Sequence, residues 1–517
     1  MGIGTKRKEI TAMKRLTILS VTLVFAMSSL AAAPVSFAAK HTDSDKIEST
    51  AVYVQKDTSW FDYEIPKDTY EISTEAQLIG LASLVNENQV DKWKPTRIEN
   101  FNDVVFVLKK DIKLTQSWNP IGTGSASYFA GVFDGNGHTI SGLDIDSDSG
   151  FTGLFGYLVG EVRDLKVEGK ISSGDGSCGA IAGQMNSEAK ISNCTADVSI
   201  SGKDKTGGIA GYNNGGVIED CINLGKVSGT YKVGGIVGEN WGGTVTECGN
   251  HGEVRSSKRG VATYGTGGIA GRSVSAESEV SKSYNYGLIM SDTEATGGIV
   301  GYTNAEGASI EDSYNKADIR ILNKNKNNRI SQSYAGGIAG TVGTTGVIIR
   351  NCYNAGGIKN ADVSGGVIGR YINDSDNQEH YIKNNYYLND QFKTGIGQID
   401  EENDRSAAKA SVGISTGSLS GIATSLSVAY INDTGIYGNG GYPVLRWQEP
   451  LSDDEKTYLD NISVAKQRAL DKYLAKNAGS SQYGQMIINF FTPANYTNDA
   501  MILYNDAKDK HEEKKDK

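Results

Sequence analysis

The chain is poor in several residue types, and each shortage narrows what it can be. It has 7 Pro, 5 Cys and only 5 His in 517 residues. The histidines, His41, His138, His251, His380 and His511, are scattered, and no HExxH zinc-peptidase pair is present. No CxxC or paired His offers a tetrahedral zinc site. The net charge is −10, the wrong sign for a protein that grips nucleic acid. Long apolar runs are nearly absent. Leu16 to Leu30 is the exception, preceded by Lys6, Arg7, Lys8, Lys14 and Arg15 and followed by small residues to Ala38-Ala39. That order reads as a signal peptide cleaved after Ala38 or Ala39. No other stretch is apolar enough to span a bilayer, so the mature chain is expected to be secreted, free or held at the cell surface.

What the chain has in excess is glycine, 64 residues, and it is placed periodically. Gly207-Gly208-Ile209-Ala210-Gly211 returns at Gly234 to Gly238, Gly267 to Gly271, Gly297 to Gly301, Gly336 to Gly340 and Gly365 to Gly369. Looser copies stand at Thr152 to Gly156 and Gly179 to Gly183. A second phrase follows each one, as in Ile218-Glu219-Asp220-Cys221-Ile222-Asn223-Leu224-Gly225-Lys226-Val227. The step from Gly208 to Gly235 is 235 − 208 = 27 residues. A period of this size, with Gly, Ile, Val and Asn and no helical stripe, predicts a solenoid of short strands.

The double phrase resembles the GLUG repeat of bacterial secreted and surface proteins. The lead-in Phe129-Ala130-Gly131-Val132-Phe133-Asp134-Gly135-Asn136-Gly137-His138-Thr139-Ile140 and the closing Gly441-Tyr442-Pro443-Val444-Leu445-Arg446-Trp447-Gln448 resemble it too. The likeness runs from about Tyr70 to Gln448. It implies a mostly β fold, a right-handed parallel β-helix, to which local helix signals add an N-terminal capping helix and a small C-terminal helical appendage. Such repeats occur in adhesins and beside peptidase domains; the zinc peptidase motif is not encoded here.

The expected organisation is a signal peptide over 1–39, a polar leader over 40–69 and a cap with first strands over 70–128. Repeats then fill 129–390, a closing segment 391–450, and helices with a charged tail 451–517. Thr74-Glu75-Ala76-Gln77 offers a capping box, with Leu78, Leu81, Ala82, Leu84 and Val85 as its apolar stripe. Ser452 can cap a later helix with the stripe Leu459, Ile462, Ala469, Leu470 and Tyr473. Two coils are lengthened, by Arg255 to Thr266 and Arg320 to Tyr334, both just before a Gly-Gly phrase. Both extra loops therefore leave the coil at one corner, where a repeat scaffold most readily carries a binding site.

Several residues recur in register. Cys194, Cys221 and Cys248 share one place in the repeat, followed there by Ser283, Ser313 and Cys352; with Cys178 they make the five cysteines. Stacked inward-facing free thiols are favoured over disulfides, although the ~4.8 Å coil spacing falls within bridging range. Asn223, Asn250, Asn285, Asn315 and Asn354 form a second series, read as an amide ladder at a turn. Tyr284, Tyr314, Tyr353 and Tyr386 fall one place beyond the thiol position, so alternation turns them outward, either stacked on each other or open to sugars. Lys258, Arg259, Arg320, Lys324, Lys326 and Arg329 make a basic patch at the looped corner, or a solvated loop.

Catalytic chemistry is sparse. No nucleophile elbow has its partners. Asp144, Asp146 and Asp148 resemble a calcium loop, but the Gly comes one place late and the closing Glu is missing, which leaves a solvated acidic turn as the alternative. The Gly-Gly-Ile-Ala-Gly strand offers only Gly and Ala on its other face. Glu219, Asp220 and Glu247 supply carboxylates on neighbouring coils. The sequence is thus read as a secreted, non-enzymatic, adhesin-like or envelope-associated scaffold without cofactor. Its expected partner is a polysaccharide, an envelope polymer or a host surface component. The alternative is a β-helical polysaccharide lyase or glycoside hydrolase, which needs carboxylates clustered outside adjacent coils.

Overall fold

The computed structural model describes residues 53–62, 64–87, 101–148, 150–257, 263–322, 332–344, 346–372, 381–400 and 411–448. Their strands pair in parallel, coil upon coil, except for one short antiparallel pair at 430–431 and 444–445. One repeat shows the cross-section: β1 Val217–Glu219, β2 Ile222–Asn223, β3 Val227–Gly229, β4 Val233–Gly234 and β5 Val237–Trp241. The β1, β2 and β3 rows join one large sheet, the β4 row is eight strands long and the β5 row nine. The expected parallel β-solenoid is therefore present.

Its core follows the repeat. Ile209, Ile236, Ile269, Ile299 and Ile338 are all fully buried. Each donates its amide to the carbonyl of the next at 2.9–3.0 Å, and the column extends on to Val367. A smaller apolar column lies between β3 and β4, with Val227, Val254, Ile289 and Ile319 on one side and Val233 and Ala335 on the other.

Between these two cores the coil narrows, and here the glycines are needed. The amide of Asn223 donates to Asn250 at 2.8 Å, Asn250 to Asn285 at 2.7 Å, and Asn285 to Asn315 and Asn315 to Asn354 at 2.9 Å each. This ladder lies inside the coil, pressed against the second glycine of each phrase. A Cβ on Gly235 would fall 2.3 Å from the Asn250 side chain. The first and fifth glycines face outward across a fold so tight that a Cβ on Gly234 would fall 2.1 Å from the Val237 carbonyl. The Asn ladder was expected at a turn. The left-handed turn residues stand three places earlier instead: Asp220, Glu247, Lys282, Asp312 and Asn351, with φ from 43° to 56°. The Asn series belongs to β2 because its amides satisfy each other only when stacked inward.

The cysteines match the favoured reading: all five are buried and free. Burial pushes the Cys178 thiol up to about 11 and those of Cys194, Cys221 and Cys352 upward as well. Thiolate is therefore scarce in the folded chain. A thiol reagent should leave the native protein unlabelled and modify all five Cys after denaturation without reductant; any native labelling would place a thiol at the surface.

The N-terminal end is closed as its sequence predicts. The helix α1, Glu75–Asn86, is capped by Thr74, whose hydroxyl accepts from the Gln77 amide at 3.2 Å. It buries Leu78, Leu81, Leu84 and Val85. The coil begins earlier than the repeats suggest, because Thr69–Ile72 already pairs with Val105–Leu108. Part of the expected leader is packed too: Trp60 and Phe61 stack edge-on against Tyr70 and Phe101 at 5.2 and 5.5 Å. The expected C-terminal appendage, 451–517, lies outside the described residues.

Candidate binding faces

The β3 row carries a basic column. Register aligns Ser228, Arg255, Met290, Arg320 and Lys359 on successive coils. Their neighbours Val227, Val254, Ile289 and Ile319 point inward and are buried, so alternation sends the column outward. Asp318 is shared by Arg320 at 3.6 Å and Lys359 at 3.4 Å. The strands Val254–Ser256 and Ile319–Ile321, from which the two long loops leave, are separated by two coil steps through Ile289–Ser291, ~10 Å. Lys258, Arg259, Lys324, Lys326 and Arg329 lie outside the described residues.

The β2 row carries the tyrosines, which do point away from the coil interior but are not open to solvent. Tyr284, Tyr314 and Tyr353 stack at 5.5 and 4.8 Å with interplanar angles of 14° and 3°. Residues 415–448 run back along the coils as a strap and cover them. Leu419, Ala423, Leu426, Tyr430 and Leu445 pack on the rings, and Trp447 lies 5.6 Å from Tyr284. The hydroxyls are satisfied as well. Tyr314 donates to Gln448 at 2.9 Å, and Tyr353 donates to the Pro443 carbonyl and accepts from Asn439 at 3.0 Å. The fourth ring, Tyr386, is half-buried and donates to Asn384 at 2.9 Å. The expected sugar platform is therefore corrected: the ring faces meet one another and their edges meet the strap. The sequence did not mark Gln448 and Asn439 as its partners; Gln448 stands at the end of the closing phrase and Asn439 just before it.

The carboxylates singled out in the sequence each meet a separate environment. Asp144 and Asp146 lie in the extended strand Thr139–Ser147, and Asp144 faces Lys170 at 3.3 Å. Among the described residues no group of three or more His, Cys, Asp or Glu is placed to hold a metal ion. Glu219 pairs with Lys190 at 2.7 Å and Glu247 with Lys282 at 3.2 Å. Asp220 occupies a left-handed turn position between β1 and β2 of one coil. A shallow cleft of about 330 Å³ lies on the upstream coils, lined by Asp134, Asn136, Asp164, Lys166 and Asn193 among others.

A further column was overlooked. The residue just after each phrase, Tyr212, Glu239, Arg272, Tyr302, Thr341 and Arg370, lines the outside of β5 in register. Glu239 is held between Arg272 at 2.5 Å and Lys232 at 3.3 Å. Lys205 lies over the Tyr212 ring at 4.8 Å and Arg370 over that of Tyr334 at 4.9 Å. The constant spacing from the last glycine was the available signal. Because these cations and rings are matched to one another, the column braces the outer fold between β4 and β5.

Comparison with known proteins adds little to this geometry. No protein-family model matches the chain. Halomucin of Haloquadratum walsbyi is 35% identical over 104 residues, which is 18% of this chain and 1% of that protein. The chain thus matches only a small piece of that relative. A solved structure from Bacteroides ovatus, described as a "putative immunoglobulin A1 protease", is 17% identical with a TM-score of 0.39, over 74% of this chain and 93% of the other. What the chain is established to be is what its own strand register shows, a parallel β-solenoid closed by a helix at one end and strapped along one side.

Proposed function

We propose that the protein is an extracellular, non-enzymatic scaffold that holds an anionic polymer, such as an acidic glycan or envelope polymer, against the β3 face. The signal-peptide pattern at 6–39 supports export, and the GLUG-like repeats support a surface role. The observation that carries the ligand class is the outward column Arg255, Arg320 and Lys359, set on a chain of net charge −10. The β3 column runs to the corner where the sequence adds five more cations. Arg is suited to carboxylate and phosphate because its guanidinium bonds them in pairs.

Retention on an acidic polysaccharide column should fall on the order of tenfold between roughly 0.05 and 0.3 M salt, as screening shortens the reach of each charge. Changing Arg255, Lys258, Arg259, Lys324, Lys326 and Arg329 to Ser should remove it without shifting the melting temperature, since Arg255 is not a core residue and the other five fall in the lengthening sequence that the repeat phrase lacks. Retention that ignores salt, or that survives all six changes, would remove the β3 face as the site. New reducing or unsaturated ends in the eluate would replace the scaffold reading with the lyase or hydrolase one.

A further inference from the structure

The strap closes over the amine of Lys316, which has Asp433 as its charged neighbour. Lys316 directly follows Asn315 of the buried ladder. Its Nζ lies 5.8 Å from the Tyr286 ring on the preceding coil and 5.9 Å from the Tyr442 ring on the strap. Gly440 of the strap passes so close that a Cβ there would stand 3.6 Å from that nitrogen. The amine is thus sandwiched between a coil ring and a strap ring. Among the described residues it forms no ion pair.

The charged and titratable groups around it are few. From the strap, Asp433 faces it, but that carboxylate already accepts from the backbone amides of Gly435 at 2.7 Å, Tyr437 at 3.2 Å and Asn439 at 2.9 Å. Tyr442 comes from the strap as well, with Asp390 acting on it from the loop below. From the coils come Tyr286 and Tyr314, whose hydroxyls are bonded to each other at 2.7 Å. An amine partly covered by rings loses much of its hydration, and the ring faces and Asp433 restore only part of it. Burial pushes the Lys316 amine down to about 8, and the attraction of Asp433 only partly opposes this.

We infer that the strap is a pH-dependent fastening, which closes more tightly on the tyrosine ladder once Lys316 has given up its proton. With the strap open, Lys316 is hydrated and holds its proton to the ordinary lysine range near 10.5. Between about 8 and that value the open form binds more protons than the closed one, so closure strengthens as pH rises through this window. Below it the strap is uniformly looser. Above pH ~10 the tyrosines act in the other direction. Burial raises Tyr284, Tyr314 and Tyr353 and holds Tyr286 up at about 12, so the open form ionises first. Closure is therefore strongest on the alkaline side of neutral, and external pH sets how much of the β2 face is bare.

Trp447 reports the closed state, since its indole donates to the Lys282 carbonyl at 2.8 Å and packs on Tyr284. The full-length protein labelled with 5-fluorotryptophan gives a ¹⁹F resonance for Trp447, assigned by its loss in Trp447→Phe. The urea-induced release of that resonance, followed at several pH values, gives the closure constant. It should tighten roughly ten- to thirty-fold from pH ~6.5 to ~9.5 in the wild type. Lys316→Met should be tight and flat across the range, and Lys316→Arg loose and flat. A wild-type closure constant that does not change with pH would end the proposal, and so would a Met variant that kept the wild-type slope.

Discussion

Replacing Ile269 with Asp should unfold the middle of the solenoid. Ile269 is fully buried, with Ile236 and Ile299 directly above and below it in the same column. A carboxylate there has no cation within the core to meet, so it must be buried either uncompensated or protonated. Lost apolar burial adds a further ~2–3 kcal/mol. A total of about 5 kcal/mol or more is expected, as large as the whole stability of many domains. In a repeat array this damage is not confined to one coil, because each coil is stabilised only by its neighbours. Circular dichroism melts should show loss of the main transition or a shift of well over 10 °C. A variant that melted like the wild type would show that this column does not face the core.

The second large effect is expected from a single methyl group. Gly268→Ala places a Cβ 2.2 Å from the Gly298 carbonyl oxygen and 2.3 Å from the Asn285 side chain. The first contact is backbone of the next coil, which cannot move without breaking the Ile269–Ile299 pairing. The second is a ladder amide whose bonds to Asn315 and to the Gly287 carbonyl hold it in place. Relief requires either opening the coil spacing or ejecting Asn285, which leaves buried amide groups unpaired. Roughly 3 kcal/mol or more should be lost. The control is Gly137→Ala, whose Cβ meets nothing within 4 Å, although its φ of 75° carries modest strain. Similar melting temperatures for the two variants would mean that the narrowing between the cores is not tightly packed.

These two positions also show where reading the sequence succeeds. The fixed spacing of the phrase brings equivalent residues into register, because parallel coils stack like upon like. The Ile column, the thiol series and the existence of an Asn ladder all follow from that rule. So does the capping helix, whose Thr74-to-Gln77 box and apolar stripe are local signals. The reason for the glycines did not follow. Periodicity located them, yet a glycine at Gly268 is required by a contact with Asn285, 17 residues later, and with Gly298, 30 residues later. The left-handed turn was assigned to the Asn series, but Lys282 and Glu247 hold that conformation. Residue preference alone could not choose between them, because neighbouring hydrogen bonds rather than intrinsic propensity fix the turn.

The tyrosines mark the limit more sharply. Period-two alternation says that Tyr314 and Tyr353 leave the coil interior, and they do. It cannot say what lies above them. Tyr353 is covered by Asn439 and Pro443, 86 and 90 residues further along the chain. By itself the sequence determined the solenoid, its register and its inward columns, because these depend on repetition and on the two faces of a strand. Only the tertiary structure decided that one outward column, the β2 rings, meets protein. Alternation is a local property of the backbone, whereas exposure depends on the path of a distant segment whose own apolar residues must be buried somewhere.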